Sequence, residues 1–531
     1  EIVDRLEDKM RLIELCLTMA YDAKVNYMDV LGSVKYWDIL IYNELRKKNI
    51  VIPQKIQREK NEKFEGAYVK DPIVGLHKWV MSFDLNSLYP HLIMQYNISP
   101  ETLVANEKVK NMSVEKLLNK EVDTSILKNA TMTPNGALFK TTQKGFLPEL
   151  MQKMYDDRVK FKQLMIEAQK DYEKTKDPKL QKTIAKFNNI QMAKKISLNS
   201  AYGAIGNVWF RYYNLLVAEA ITTSGQLAIR YIEHALNEYL NKILNTRGED
   251  YIIASDTDSV YITFDKLVTN VFVSDTDDSK VVEFLDRVAK EKIEPFIDKS
   301  YQDLAEYVNA YEQKMQMKRE VIANKGIWVA KKRYILNAHD VEGVRYKEPK
   351  LKIMGVEAVK SSTPAACREK IKDALKIIMT KDNQELNSFI QDFRKDFMNL
   401  KPELIAYPRS VNGLNKWTES HNLFKKGAPI HCKGAILYNH LLQDKKLQNK
   451  YPYIQEGDKI KFLHMKTPNV YQSTSISFMT KLPNELNLHN FIDYDMQFEK
   501  SFVEPLKFIT DIIRWQIDSS YGTQGTLEGF F

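Results

Sequence analysis

The sequence predicts an α+β chain of several domains, and three stretches carry that prediction. Residues 148–201 hold two long runs of helical periodicity separated by a Lys176-Asp177-Pro178 break. Residues 251–264 hold two short apolar runs around a polar Asp-Thr-Asp-Ser turn, the pattern of a β-hairpin. From about residue 356 the texture is mixed and mostly helical, with a strand-like run at 458–463. At roughly 100–200 residues per domain, 531 residues suggest about three domains.

Taken in order, residues 1–48 read as helical, with Ile2, Leu6, Ile13, Cys16 and Leu17 at helical spacing. The chain opens on Glu1 as though a helix were already under way, so a piece of a longer polypeptide or a processed product is expected. Residues 53–72 read as a polar connector ending in Phe64-Glu65-Gly66-Ala67-Tyr68. Trp79-Val-Met-Ser-Phe83 is a short strand leading into Asp84. Pro148 suits a first helical position, and its helix runs to about Asp177. A second run reaches about Ala201, which completes an antiparallel helix hairpin. Between 151 and 195 it holds twelve Lys or Arg against six Asp or Glu. Further on, 279–312 reads as helical and 327–336 as a strand.

Composition narrows the class. The chain is 44% hydrophobic and 28% charged, which excludes large-scale disorder. No stretch approaches the ~20 apolar residues of a membrane span. Cys16, Cys367 and Cys432 are odd in number and far apart, so neither a disulfide framework nor a CxxC metal pair is expected. A reducing cytoplasm fits best. The formal charge of +9 hints at a polyanionic partner, and the hairpin carries about two-thirds of it.

Three acids stand at strand ends: Asp84 after 79–83, and Asp256 and Asp258 at the tip of 251–264. In extended backbone, residues i and i+2 point to one side, so Asp256 and Asp258 can share a site. Clustered carboxylates repel unless cations lie between them, and hard oxygen donors suit Mg²⁺ with substrate phosphates. Taken alone, Asp-Thr-Asp-Ser is ordinary turn chemistry. The chain carries its own control in Asp275-Thr-Asp277, which leads into a helical pattern and reads as a loop with an N-cap.

The surroundings of these acids are more specific. Asp84-Leu-Asn-Ser-Leu-Tyr-Pro90, Lys195-Ile-Ser-Leu-Asn199-Ser-Ala-Tyr202-Gly203, Ser255-Asp-Thr-Asp-Ser259 and Lys331-Lys-Arg-Tyr334 occur in that order. Together they resemble the polymerase motifs of the family B DNA polymerases, with Ser255 where that family usually has Gly. The likeness covers nearly the whole chain and is strongest to the replicative members from T-even-type bacteriophages. Asn97-Ile-Ser-Pro-Glu-Thr102, Glu348-Pro-Lys-Leu-Lys-Ile-Met-Gly355 and Lys360-Ser-Ser-Thr-Pro364 add to it.

The resemblance implies a right-hand polymerase with an antiparallel-sheet palm, helix-hairpin fingers and a mostly helical thumb. Residues 1–55 would be a helical segment following an exonuclease domain. The palm would take 56–144 and 207–355, the fingers 145–206, and the thumb 356–531. Two Mg²⁺ ions, with Mn²⁺ as a substitute, would be held by Asp84 and Asp258 with the Leu85 carbonyl, Asp256 helping nearby. Ser87, Leu88, Tyr89, Arg158, Lys162, Lys195 and Asn199 would bind the incoming nucleotide. Arg158 with Lys162 and Lys195 with Asn199 are i,i+4 pairs and so share helix faces. Tyr89 would leave no room for a 2′-hydroxyl. Tyr202 would lie near the nascent pair, and Lys331, Lys332 and Tyr334 on the primer–template. Glu320 is a candidate accessory carboxylate, beside Lys318 where phage relatives carry an acid.

The activity so implied is DNA-directed DNA synthesis with deoxynucleoside triphosphates on primer–template DNA, in the cytoplasm of an infected bacterium and away from membranes. Residues 1–83 lack the Asp-x-Glu of a 3′→5′ exonuclease, so no proofreading by this chain is expected. A separate exonuclease-bearing polypeptide and a segment cut away are both open. The ending Gln524-Gly-Thr-Leu527-Glu-Gly-Phe530-Phe531 resembles a sliding-clamp-binding motif. In one 3₁₀-like turn Leu527 and Phe530 would share a side. The rival readings are a non-catalytic clamp- and DNA-binding subunit and a polymerase of different chemistry, such as reverse transcription or protein-primed initiation. Retention of Asp84, Asp258, Arg158, Lys195 and Asn199 together argues against the first. Tyr89 and the absence of Tyr-x-Asp-Asp argue against the second.

Overall fold

The computed structural model describes residues 1–56, 64–104, 109–125, 127–273, 276–419 and 423–518. The backbone falls into two compact units, Glu1–Asp71 with Met81–Ile322, and Pro72–Val80 with Ala323 onward.

The first unit begins with α1 (Ile2–Met10), α2 (Leu12–Ala23) and α3 (Ser33–Lys47). Strand β1 (Gly75–Leu85) enters it at Met81, followed by α4 (Leu88–Gln95), α5 (Val114–Leu118), and the pair β2 (Ala130–Met132) and β3 (Leu138–Lys140). The long hairpin is α6 (Phe146–Thr175) and α7 (Pro178–Ile205). It turns where Lys176 adopts φ 54°, and α7 restarts on Pro178 with Asp177 accepting from the Lys179 N–H at 2.9 Å. Then come α8 (Leu215–Ile243), β4 (Ile252–Asp256), β5 (Ser259–Thr263), α9 (Asp265–Val271), α10 (Asp278–Val288) and α11 (Glu294–Tyr307). Asp277 caps α10 through the Ser279 N–H at 2.7 Å, as the control tripeptide was expected to do.

Strand β6 (Met317–Ala330) leaves the first unit after Ile322. In the sheet order the neighbours β4-β5-β1-β6 serve the first unit. There the β-branched and aromatic runs Ile252-Ile253 and Val260-Tyr261-Ile262 are buried together with Phe83 of β1 and Leu236 of α8.

The second unit continues the order through β6 to β7 (Arg333–Val341) and β8 (Val344–Met354), antiparallel neighbours. It then adds α12 (Ala365–Thr380), α13 (Asn383–Phe397), α14 (Pro402–Ile405), β9 (Tyr407–Ser410), α15 (Leu414–Trp417), α16 (Ile430–Asp444), β10 (Lys459–His464), β11 (Ser475–Phe478), α17 (Tyr494–Phe498) and α18 (Glu504–Thr510). A three-stranded antiparallel sheet, β11-β10-β9, packs with these helices around Phe393, Phe397, Phe462 and Phe502. Cys367 and Cys432 are buried in this unit, Cys16 is half-buried in the first, and all three are free thiols.

The mixed helical and antiparallel architecture is the α+β class expected. Three local readings change. The strand expected at 327–336 is two strands with a turn at Lys331-Lys332, where Lys332 takes φ 59° without Gly, Asn or Asp. Helix α8 has no counterpart in the sequence reading, although it runs over 29 residues and buries Ala220, Thr223, Leu227 and Ile229. The described end of the 53–72 connector is a strap rather than a free link: Val69 forms an isolated antiparallel bridge with Asp256.

Candidate active site

The acid of the first motif, Asp84, is placed by β1. Its second half, Val80 to Phe83, is buried, and the chain emerges at the half-buried Asp84. The next residue supplies the decisive contact: the Leu85 N–H donates to the Asp258 carbonyl at 2.8 Å. That bond fixes the end of β1 beside the β4–β5 turn. The turn is tight, with Asp256 paired to Ser259 and only Thr257 and Asp258 between them. Asp258 N–H donates back to the Asp256 carbonyl at 2.6 Å. Thr257 has φ 61°, an uncommon conformation for a β-branched residue. Asp256 and Asp258 are therefore related by a turn, and the strand alternation used in the sequence reading does not describe them. Ser255 lies in β4 opposite Val260, outside the positive-φ residues, so the freedom of a Gly is not required there.

Among the described residues no three or more His, Cys, Asp or Glu side chains form a group able to hold a metal ion. The donors on offer are hard oxygens from strand-end carboxylates and the backbone. That set suits Mg²⁺ completing its shell with water and substrate phosphate better than an all-protein cage. Glu320, on β6, accepts from Ser82 Oγ at 3.2 Å. Lys318 pairs with Glu294 of α11 at 2.9 Å, and the Glu294 carboxylate raises the Lys318 pKa.

Beyond Asp84 the chain turns through Ser87, at φ 47°, into α4. Leu88 is buried. The Tyr89 ring lies 4.6 Å from that of Tyr202, centroid to centroid, tilted by 39°. Gly225 of α8 backs it, for a Cβ there would stand 3.4 Å from Tyr89 Cε1. Burial first, and then the nearby Tyr202 and Asp258, push the Tyr89 hydroxyl up to about 12. Arg158 of α6 donates from Nη1 to Ser87 Oγ at 3.1 Å, tying the hairpin to the first motif. Its buried Nε has no hydrogen-bond partner, and burial lowers the guanidinium pKa. A cation so placed would gain from an anionic ligand. Lys162, Lys195 and Asn199 are exposed.

In the second unit Lys331 and Lys332 stand exposed on the β6–β7 turn. Tyr334 is buried, stacked on Trp328 at 5.4 Å between centroids and 22° between planes. Gly355, at φ 65°, allows the turn to close, since a Cβ would come within 2.2 Å of the Lys332 carbonyl oxygen. Gln524, Leu527, Phe530 and Phe531 lie outside the described residues.

Sequence reasoning missed the groups that hold α7 from behind. Lys194, next to the exposed Lys195, is buried between Asp22 of α2 at 2.8 Å and Asp157 of α6 at 3.2 Å. Tyr36 OH and Ser197 Oγ are 2.6 Å apart, and Trp37 Nε1 donates to Ser200 Oγ at 3.0 Å. The aromatic Tyr36-Trp37 pair on α3, whose Leu40, Ile41 and Leu45 are also buried, was the available signal.

Set beside known proteins, the chain matches the model of DNA polymerase family B over residues 33–512. It is 35% identical to the DNA-directed DNA polymerase of Escherichia phage RB69, over 95% of this chain and 61% of that protein. To the DNA-directed DNA polymerase of Enterobacteria phage T4 it is 33% identical, over 94% and 61%. The DNA polymerase delta catalytic subunit of Candida albicans is 28% identical over 49% of this chain. The chain thus spans about three-fifths of the length of the two phage proteins. Among the described residues no helix is long and apolar enough to cross a membrane.

Proposed function

The chain belongs to DNA polymerase family B, and from that membership we propose that it extends a primer 3′ end with deoxynucleotides on a DNA template. The observation that carries the reading is the Leu85–Asp258 backbone bond, because it draws the ends of β1 and the β4–β5 turn into one place. Around that place stand Tyr89, Tyr202 and Arg158, contributed by α4, α7 and α6.

In this reading Asp84 and Asp258, with the Leu85 carbonyl and Asp256 nearby, hold two Mg²⁺ ions. Ions held there would supply activation of the primer hydroxyl and charge neutralisation on the pyrophosphate. Arg158, Lys162, Lys195 and Asn199 grip the triphosphate, and Arg158 gives its unpartnered Nε–H to a phosphate oxygen. Ser87 and Leu88 shape the backbone under the nucleotide, and Tyr89 packs against its sugar. Tyr202 lies along the nascent pair. Lys331 and Lys332 contact the primer–template backbone, and Tyr334 supports their turn from the interior. The palm is 56–144 with 207–355, the fingers 145–206 and the thumb 356–531. Residues 524–531 engage a sliding clamp, and an exonuclease activity comes from a separate polypeptide or from sequence beyond this chain. The setting is phage DNA replication in the infected cell.

Primer extension on a DNA template tests the reading, with Asp84→Asn and Asp258→Asn beside the unmodified chain. Each substitution should lower kcat by about a hundredfold or more. Undiminished extension by both would remove the site assignment.

A further inference from the structure

The turn that bears Asp256 and Asp258 is held by a chain of contacts that the proposed reaction does not use. Residues 65–70 run along one face of α8. Thr222 Oγ1 donates to the Glu65 carbonyl at 2.8 Å, Gln226 Nε2 to the Gly66 carbonyl at 2.7 Å, and the Arg230 guanidinium lies 5.3 Å from the Tyr68 ring centroid. One helical turn further, Lys70 Nζ meets Glu233 Oε1 at 3.0 Å. The strap in turn binds the catalytic loop. Thr257 N–H donates to the Tyr68 carbonyl at 3.0 Å, and Lys70 N–H to the Ser255 carbonyl at 3.1 Å.

Ser255 closes this circuit. Its Oγ donates to Glu233 Oε2 at 3.2 Å, and both residues are buried, at 1% and 5% exposure. Glu233 therefore divides its two oxygens between the strap, through Lys70, and the strand that enters the turn, through Ser255. Lys70 is engaged further by Asp250 at 2.7 Å and by the Ile252 carbonyl at 2.9 Å. A carboxylate taken so far out of water needs every available donor, and removing one leaves the remainder free to rearrange. Thr257, with its costly positive φ, sits two residues beyond Ser255 and depends on being held from outside.

We propose that Ser255 is a positioning residue, which acts through Glu233 and Lys70 to fix the Asp256-Thr257-Asp258 turn in the geometry the carboxylates need. It touches no reacting atom. The inference rests on the polymerase reading for its kinetic consequence, but the ordering of the turn does not.

The test uses the full chain with Ser255→Ala, Ser255→Gly, Glu233→Gln and the Ser255→Ala/Glu233→Gln double variant. Hydrogen exchange reads the turn directly, and primer extension reads its consequence. In each single variant, exchange at the amides of 256–258 should rise by about tenfold while β5 and α8 keep their protection. Extension should lose about five- to twentyfold in kcat with the KM for nucleotide within twofold. The double variant should be no worse than the worse single variant, because all three break one circuit. Unchanged exchange at the turn in Ser255→Ala would overturn the proposal, as would loosening spread evenly through the unit, or single losses that multiply in the double variant. If the unmodified chain extends no primer, the polymerase reading falls by itself and the exchange measurement still decides the positioning role.

Discussion

At Tyr89 a single ring is confined on three sides. Tyr202 lies 4.6 Å away, Gly225 of α8 leaves room for no more than a methyl in ordinary contact behind it, and Asp258 is close enough to raise its hydroxyl pKa further. With that hydroxyl pushed up to about 12, chiefly by burial, the residue acts as a neutral wall at any working pH. Tyr89→Ala should raise ribonucleotide use relative to deoxynucleotide by about 10–200-fold, whereas Tyr89→Phe keeps the ring and should change the ratio by less than about fivefold. Competitive incorporation on one template measures both, and an unchanged ratio in the alanine variant would remove Tyr89 from the sugar pocket. The candidate acids could be singled out in sequence only through the motifs around them, because Asp-Thr-Asp by itself is ordinary turn chemistry and recurs at 275–277. Lys194 and Lys195 were not separable in the same way. They are identical neighbours, and only the phase of α7 against α2 and α6 turns one inward to Asp22 and Asp157 and leaves the other in solvent.

At the scale of elements, α7 is a long helix whose exposed face carries Lys195 and Asn199 and whose opposite face is bolted to α2 and α3. The Tyr36–Ser197 hydrogen bond is buried, so a Tyr36→Phe/Ser197→Ala cycle should give a coupling of about 1 kcal/mol in denaturant unfolding. Lys194→Met strands two partly exposed carboxylates and should cost about 1–3 kcal/mol, less than a fully buried pair would. A coupling near zero would mean that α3 merely lies beside α7. The β6–β7 turn makes the complementary point about legibility. Periodicity ran through Lys331-Lys332 because no turn residue interrupts it, and the residue that permits the turn, Gly355, stands at the far end of β8. Gly355→Ala must combine a positive φ with a Cβ within 2.2 Å of a carbonyl oxygen, and should destabilise the chain by about 2–4 kcal/mol. Thermal unfolding checks it, and a stability loss below about 0.5 kcal/mol would show that the turn can relax.

For the whole molecule, the response to acid follows from how each unit buries its histidines. His91 in the first unit, and His77, His431 and His464 in the second, all have pKa values lowered from 6.5, in each case chiefly by burial. Burial disfavours the imidazolium, so the folded state resists protonation and the unfolded chain takes up the protons first. Stability from these groups is therefore intact above about pH 6.5 and declines as pH falls through that value. Carboxylates act lower down. Glu115 is held below its ordinary 4.5 by the Arg230 hydrogen bond, and Glu485, bound by Lys450, sits at about 2. What they contribute is present above pH 4.5 and is lost as pH falls toward their folded values. Two windows are thus separated, with histidines governing the upper and carboxylates the lower. Thermal melts of the unmodified chain should fall between pH 7.5 and 5.5, above the window in which Glu115 and Glu485 act. In His91→Gln/His464→Gln that fall should shrink, since two of the four groups no longer titrate while the lower window is untouched. An equal fall in variant and unmodified chain would mean that these imidazoles reach water in the folded state, and that the acid response lies with other groups.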